Sequence, residues 1–423
     1  MLATSKLSKK KPNKRNESLI NQNLKMKILL LSHNNYSGAG KVTARINKAL
    51  KQKKIISDHI YLVGKKLSLF EIFKKTLNRI ICRFEERRTF STKSPSIFPS
   101  CLSKKINKSK YEIINLTWIN DFLSIEDIGK ITKPIVWTLC DMWPFVGVNH
   151  YDNFSKNSMW QKQNFFKRRI GKFNLDRWLI SRKINSWKNI KMHLVVPTKW
   201  MYECVKKSKI MHQYSVTLIP WPVNKDTFKN LNKIKQKKDL KLSLKKRYIL
   251  FSCMNGLDDR RKGGDLLLEA IKRTKNKYEV IVLGGENKGI EKISSKVSLN
   301  WMGKIQNDKV LCKIYNSVEL VAIPSRVDNL PQVGLEAQAC GTPLVVFAAN
   351  GLNDLVDHKQ NGYLAKPFNS KYFAEGIDWT LNSQKKKNRL KYFSLKKFKK
   401  NWDSRIVANK YKNLYDKILQ KNN

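Results

Sequence analysis

Two acidic residues, Asp328 and Glu336, stand eight positions apart within Ile323–Pro343. An apolar run ends at Ile323 and a polar loop follows. Pro331 suits the first turn of a helix, where its missing N–H would have no partner in any case. Asp328 or Asn329 can cap that helix. Such a helix offers exposed backbone N–H groups to an anion. Glu336, further along it, offers two acceptor oxygens to vicinal hydroxyls such as those of a ribose. With Asn329, Leu330 and Pro331 at the turn, one loop and one helix could hold a diphosphate and a ribose together. Asp258–Ala270 supplies a second cradle, in which Arg260, Arg261 and Lys262 precede a helix opening at Gly263. An exposed helix end alone is worth about 0.3–1 kcal/mol per charge, so a departing diphosphate needs a fixed cation as well. Lys262 is the first choice for that role, with Arg261 or Arg260 as substitutes, and a solvated basic loop is the bland alternative.

Cys140 and His150 lie in a third stretch, Val136–Tyr151, which also carries Asp141-Met-Trp-Pro-Phe145. A lone histidine is ordinarily a hydrogen-bonded structural group, and both readings of His150 stay open. The turn Ser37-Gly38-Ala39-Gly40 sets Gly38 and Gly40 at a strand–helix corner, where glycine by itself has a bland explanation. It is not a Walker A loop, which needs Gly at Asn35 and Ser or Thr at Val42. No paired acidic motif is framed between strands as a metal site would be, so neither a metal nor a bound cofactor is expected.

The elements that must position these residues repeat one grammar. An apolar run over 27–32 is followed by the glycine turn and a helical pattern carrying Val42, Ile46 and Leu50. Further strand candidates fall at 59–63, 112–117, 134–139, 192–196 and 215–219. After a lysine-rich break come 248–253, 278–283, 318–323 and 343–347. Apolar strands alternating with helices predict parallel sheets covered on both faces. The break at 229–247 is the expected linker between a first domain over 24–228 and a second over 248–385. Residues 1–23 are expected to be a basic flexible tail, and 386–423 a single C-terminal helix. Two doubly wound domains leave a cleft where the carboxyl ends of their strands face each other.

The 423 residues are 41% hydrophobic and 10% aromatic, enough for packed cores and not a disordered composition. Seven scattered cysteines without a CxxC pair exclude a disulfide scaffold and a zinc ribbon. No run reaches the length of a membrane span, and the expectation is a cytoplasmic protein. The formal charge of +53 raises nucleic acid or an anionic membrane as partners. Of 85 basic residues only 17 are arginine, however, and no nucleic-acid-binding module is visible, so specific nucleic-acid recognition is not expected. The segment 155–190 interleaves Trp160, Phe165, Phe166, Trp178 and Trp187 with Lys167, Arg168, Arg169 and Lys172. It reads either as packed core or as a basic, aromatic helix lying against a membrane.

The phrase from Asp328 through Glu336 to Ala339-Cys-Gly-Thr-Pro343 resembles the motif of glycosyltransferase family 4. Asp141–Phe145, Gly147, His150 and Tyr151 resemble a subgroup among transferases for envelope polysaccharides. Over about 27–385 the chain resembles that family. The resemblance implies the GT-B fold: two Rossmann-like domains across a cleft, with a C-terminal helix crossing back. It implies retaining transfer from a UDP- or GDP-sugar to a saccharide or lipid-linked acceptor, as in lipopolysaccharide, O-antigen or exopolysaccharide synthesis. Asp328 and Cys140 would then face the donor sugar, Glu336 the ribose and Lys262 the diphosphate, while the Ser37–Val42 turn, matching the family's first loop, would let backbone amides approach the donor's phosphates and sugar past Gly38 and Gly40. Three departures stand out: Asp328 where the family most often has Glu, Cys140 where it has His, and Gly256 where it has Arg. They keep open an epimerase or an inactive scaffold on the same fold, and the charge keeps open a nucleic-acid-binding protein.

Overall fold

A computed structural model describes residues 26–61, 69–83, 92–119, 121–152, 160–162, 174–286, 289, 292–382 and 384–421. The expected tail at 1–23, together with Phe165, Phe166, Lys167, Arg168, Arg169 and Lys172, lies outside them.

Two six-stranded parallel sheets form the molecule. The first contains β1 (Lys27–Ser32), β2 (Ile56–Tyr61), β3 (Ile113–Leu116), β4 (Ile135–Thr138), β5 (Met192–Val196) and β6 (Ser215–Leu218), in the order β2-β1-β3-β4-β5-β6. The second contains β7 (Tyr248–Ser252), β8 (Tyr278–Leu283), β9 (Val297–Gly303), β10 (Leu320–Ile323), β11 (Leu344–Phe347) and β12 (Gly362–Ala365), in the order β12-β11-β10-β7-β8-β9. Residues of β3, β4, β10 and β11 are buried throughout, as expected of strands covered on both faces. This is the two-domain α/β architecture expected from the alternating pattern.

Strand order reverses between β7 and β10, and the loops that leave these neighbours diverge there. Such a reversal opens a crevice at the carboxyl ends of the strands. The loop after β7 carries Arg261 and Lys262, and the loop after β10 carries Asp328. Both chemistry-bearing stretches of the second domain therefore meet at one crevice.

The helices needed below are α1 (Gly38–Gln52), α2 (Leu175–Trp187), α3 (Lys233–Asp239), α4 (Gly264–Arg273), α5 (Asp308–Ser317), α6 (Gln332–Ala339), α7 (Gln384–Asn401) and α8 (Ser404–Gln420). The expected linker contains α3 and is tied to the second domain: Asn230 donates to the Cys340 carbonyl (2.9 Å), and Lys233 pairs with Glu319. The closing segment is two helices, because the chain turns at Trp402–Asp403 and the Asp403 carboxylate caps α8 by accepting from Arg405 N–H (2.9 Å). α8 crosses back to the first sheet. Its Tyr411 hydroxyl meets the Thr138 hydroxyl (3.0 Å), and its Tyr415 hydroxyl accepts from Asn115 (2.6 Å). The core around β1 and α1 is continuous with that of the second domain through these rings. Among the described residues, no helix is long and apolar enough to cross a membrane.

Candidate functional site

The cation loop of the second domain is fixed by its glycine. Gly263 has φ +75° and precedes α4, and a Cβ there would stand 1.9 Å from the Pro324 carbonyl oxygen. Only glycine lets the loop after β7 press against the loop after β10 in this way. The Asp259 carboxylate accepts from Lys262 N–H (3.1 Å), which orients the next step of the chain. The Lys262 ammonium then reaches the buried Asp328 carboxylate. Arg261 turns to the other side, donating to the Val327 carbonyl (3.2 Å) and lying 5.3 Å over the Tyr151 ring of the first domain. Burial opposes the Arg261 charge, but Asp328 beside it raises the guanidinium above its ordinary pKa.

The expected capping of α6 is corrected by the structure. Pro331 is the N-cap residue itself, one position before the helix, and no side chain caps it. Asp328 is drawn instead to Lys262. Asn329 is fully buried and bridges the domains, donating to the Leu139 (3.1 Å) and Cys140 (3.3 Å) carbonyls while accepting from the Thr198 hydroxyl (2.9 Å). A side chain with that many partners across the cleft is withdrawn from the cap. The start of α6 therefore keeps its backbone donors clear of side-chain acceptors. Leu330 is buried beside it.

Glu336 sits one turn into α6, buried, with both oxygens engaged. Oε1 pairs with Arg45 Nη2 of α1 at 2.6 Å, and Oε2 accepts from the Tyr315 hydroxyl of α5 at 2.6 Å. Arg45 also donates to Gln332 (2.6 Å) and approaches Asp308 (3.4 Å). Burial alone would lower the Arg45 pKa; Glu336 and then Asp308 more than reverse this, so the guanidinium is raised above its ordinary value. Burial, then Glu336, pushes the Tyr315 hydroxyl well up. A carboxylate has about four acceptor positions, so these two bonds leave room for a diol.

Across the cleft, the Ser37 hydroxyl caps α1 by accepting from Gly40 N–H (3.2 Å), and Asn34 accepts from Ser37 N–H (2.9 Å). A Cβ on Gly40 would come within 2.2 Å of the Asn34 carbonyl oxygen, whereas one on Gly38 would meet only the Gln332 amide at 4.0 Å. Gly40 is thus required by packing, and Gly38 keeps the cleft wall open. The Gln332 side-chain amide donates to the Gly38 carbonyl, joining the two walls.

Cys140 is buried, and burial, then Asp141, pushes its thiol well above the ordinary range. It stands at the cleft as a neutral group. His150 is buried between Asp141 (Nδ1 to Oδ2, 2.5 Å) and the Ser94 hydroxyl (Nε2, 2.8 Å). Lys183 of α2 is also buried and donates to the Trp143 (2.5 Å), Val146 (2.8 Å) and Gly147 (3.0 Å) carbonyls. It fixes the whole 143–147 loop against the first sheet. Of the aromatic residues weighed for a membrane face, Trp160 and Trp187 are core, while Trp178 is partly exposed under Arg182 (4.5 Å).

Among the described residues, the structure brings Lys262, Arg261, Asp328, Glu336, Gly38, Gly40 and Cys140 to one interdomain cleft, and ties His150 to Asp141, next in sequence to Cys140. Sequence reasoning missed Arg45, Tyr315, Asp308 and Gln332. The one usable signal was the spacing of Lys41 and Arg45 on one face of α1, where Lys41 also reaches Asp308 (3.2 Å). No group of three or more His, Cys, Asp or Glu side chains that could hold a metal occurs among the described residues.

Residues 232–397 match the model of the family described as glycosyl transferases group 1. The chain is similar, at 24% identity over 164 residues, to the N,N'-diacetylbacillosaminyl-diphospho-undecaprenol alpha-1,3-N-acetylgalactosaminyltransferase of Campylobacter jejuni; the match covers 38% of this chain and 42% of that protein. The matched segments span less than half the length of the curated relatives. Among solved structures, sucrose-phosphate synthase from Thermosynechococcus elongatus superimposes with a TM-score of 0.66 at 15% identity, covering 94% of this chain and 100% of that one. HepE of Anabaena, in complex with UDP and glucose, superimposes with a TM-score of 0.59 at 14% identity, covering 93% and 100%. The fold is therefore the two-domain GT-B arrangement, and the second domain carries a glycosyl transferase group 1 match.

Proposed function

We propose that the chain is a glycosyltransferase moving a sugar from a UDP- or GDP-sugar to a saccharide or lipid-linked acceptor of cell-envelope polysaccharide. The observation that carries this reading is the meeting of Lys262, Asp328, the uncapped start of α6 and Glu336 at the β7/β10 crevice. The family 4 resemblance supports a retaining reaction, and the lack of a paired acidic motif framed between strands in the sequence supports one that needs no metal. The Campylobacter relative, named for a diphospho-undecaprenol acceptor, supports the lipid-linked class. HepE, seen with UDP and glucose, supports a uridine donor.

In this reading the donor's ribose hydroxyls bind the remaining acceptor positions of Glu336 beside Arg45 and Tyr315. The diphosphate lies between the start of α6 and the Lys262–Arg261 loop. As the bond from the anomeric carbon to the diphosphate breaks and the acceptor hydroxyl oxygen bonds to that carbon, its proton passing to the departing diphosphate, negative charge grows on the leaving phosphate oxygen. Lys262 then shifts its charge from Asp328 toward that oxygen, an interaction stronger in the transition state than in the ground state. Asp328, released in part, faces the sugar. Cys140 contributes shape and no charge. The lysine-rich surface would hold the chain at the inner face of an anionic membrane, each cation near the lipid contributing about 1 kcal/mol.

The neutral, buried Cys140 favours a second reading, a GT-B protein that binds the donor without transferring its sugar. A thermal-shift screen of UDP- and GDP-sugars tests donor binding. One nucleotide should raise the melting temperature, with the shift abolished in Glu336→Ala; absence of any nucleotide-dependent shift refutes the site. Product analysis with the stabilising donor then separates transfer from binding alone.

A further inference from the structure

A cavity of about 1190 Å³ lies away from the interdomain cleft, as a trough on the second domain. It runs from the amino ends of β7 and β8 along the sheet-edge strand β9, at the opposite end of the sheet from Lys262 and Asp328. Lys245, Arg247, Lys275, Lys277, Lys292 and Lys296 line it. The one carboxylate among its described lining residues is Glu279, which Lys246 already engages.

The chain is cationic as a whole, but two other cavities do not share this imbalance. The next cavity, about 590 Å³ between the domains, sets Lys199, Lys397 and Lys410 against Glu203, Asp354 and Asp357. A third, about 500 Å³, sets Arg260 against Asp258, Asp265 and Glu286. Lysines commonly guard an edge strand, and that accounts for Lys292 and Lys296. It does not account for Lys245, Arg247, Lys275 and Lys277, which precede the interior strands β7 and β8. One helix terminus carries about half a charge, so the end of α4 does not balance six cations either. Like charges facing one another across a concave surface focus the field and concentrate counter-ions there.

We infer that this trough binds a linear polymer bearing several phosphate groups, at a place separate from the cleft. Its volume exceeds the roughly 300–1000 Å³ of ordinary small-molecule sites, and its cations are too many for one phosphate. Serine and asparagine side chains, Ser294, Ser295 and Asn300, stand between the cations as neutral donors. Ammonium groups on flexible stems accept phosphates in varied orientations, which suits a repeating chain. A bilayer presents a flat layer of headgroups that meets the rim and not the floor. Nucleic acid held base by base needs a series of open aromatic faces. Here the lining offers the buried Tyr278 and one half-buried ring, Trp301, not a series of open faces.

The test uses the full chain and end-labelled inorganic polyphosphate, followed by fluorescence anisotropy at about 150 mM salt. Combined Lys275→Glu, Lys277→Glu and Lys296→Glu should weaken binding by about tenfold or more. Combined Lys396→Glu, Lys399→Glu and Lys400→Glu on α7, an equal change of charge elsewhere, should leave it within about twofold. The triple alanine version of the trough set, which removes charge without reversing it, serves if the glutamate version fails to fold. Single-stranded RNA and vesicles of phosphatidylglycerol with phosphatidylcholine are titrated in parallel. Equal losses in the trough and α7 variants, no loss in either, or a trough-dependent loss confined to RNA or vesicles would each overturn the inference. The stabilising sugar nucleotide should bind the trough variant as tightly as the parent, whatever the fate of the proposed reaction.

Discussion

The cleft assigns different work to residues of the same charge. Glu336 is a buried acceptor held by Arg45 and Tyr315, whereas Asp328 is a buried counter-ion to Lys262. Glu336→Ala removes the ribose acceptor and takes from Arg45 its buried carboxylate partner, so nucleotide affinity should fall by about 10–100-fold in calorimetry, given the strength of hydrogen bonds to charged groups. Glu336→Gln, which keeps the shape, should lose part of that. A Gln variant that binds the nucleotide as tightly as the parent would contradict a charged grip on the ribose. Cys140 should behave as an inert thiol, since burial and then Asp141 hold its proton in place. Iodoacetamide at mildly alkaline pH should label the exposed Cys101 first, with Cys140 labelled only on unfolding, as read by peptide mass spectrometry. Early labelling of Cys140 would show a thiolate at the cleft and reopen its part in the chemistry.

At the level of elements, the two loops at the β7/β10 reversal hold the site because they pack without side chains between them. Gly263→Ala places a Cβ against the Pro324 carbonyl at a positive φ, and should cost at least about 2 kcal/mol in denaturant unfolding. A stability within experimental error of the parent would show that this loop relaxes. Lys183→Met should cost at least about 3 kcal/mol, because three buried carbonyls lose their donor at once. Much of this framework was legible in the sequence. Strands such as Ile113–Leu116 and Leu344–Phe347, buried on both faces, are written as unbroken apolar runs. Two strands were not legible. β9 lies at a sheet edge with a break in register opposite Val282 and Leu283, and β12 is four residues beginning with glycine. The acidic pair and Lys262 were legible because loop, helix and spacing are local. Arg45 and Tyr315 were not, since they reach Glu336 only after two other helices pack beside α6. The capping of α6 was misread for the same reason: Asn329 finds its partners in the other domain.

For the whole molecule, closure of the cleft and contact between domains are one network. Arg45 with Glu336, Gln332 with Gly38, Asn329 with Leu139 and Cys140, and Lys41 with Asp308 all join the two sheets. α8 joins them a second time through Tyr411 and Tyr415. Removing residues 404–423 should expose the Thr138 and Asn115 face of the first sheet and lower its melting temperature. An unchanged melting curve would make α8 an ornament rather than a strut. Within that frame the central claim is electrostatic: a lysine tied to one carboxylate at the reversal point is available to a departing phosphate. Steady-state kinetics of Lys262→Ala, with the sugar nucleotide that stabilises the parent, tests it most directly. The expected result is a fall in kcat of about 100-fold or more, the size seen when one stabilising donor is removed, with a much smaller change in KM. Parent-like kcat in that variant, with the donor still bound, would contradict it.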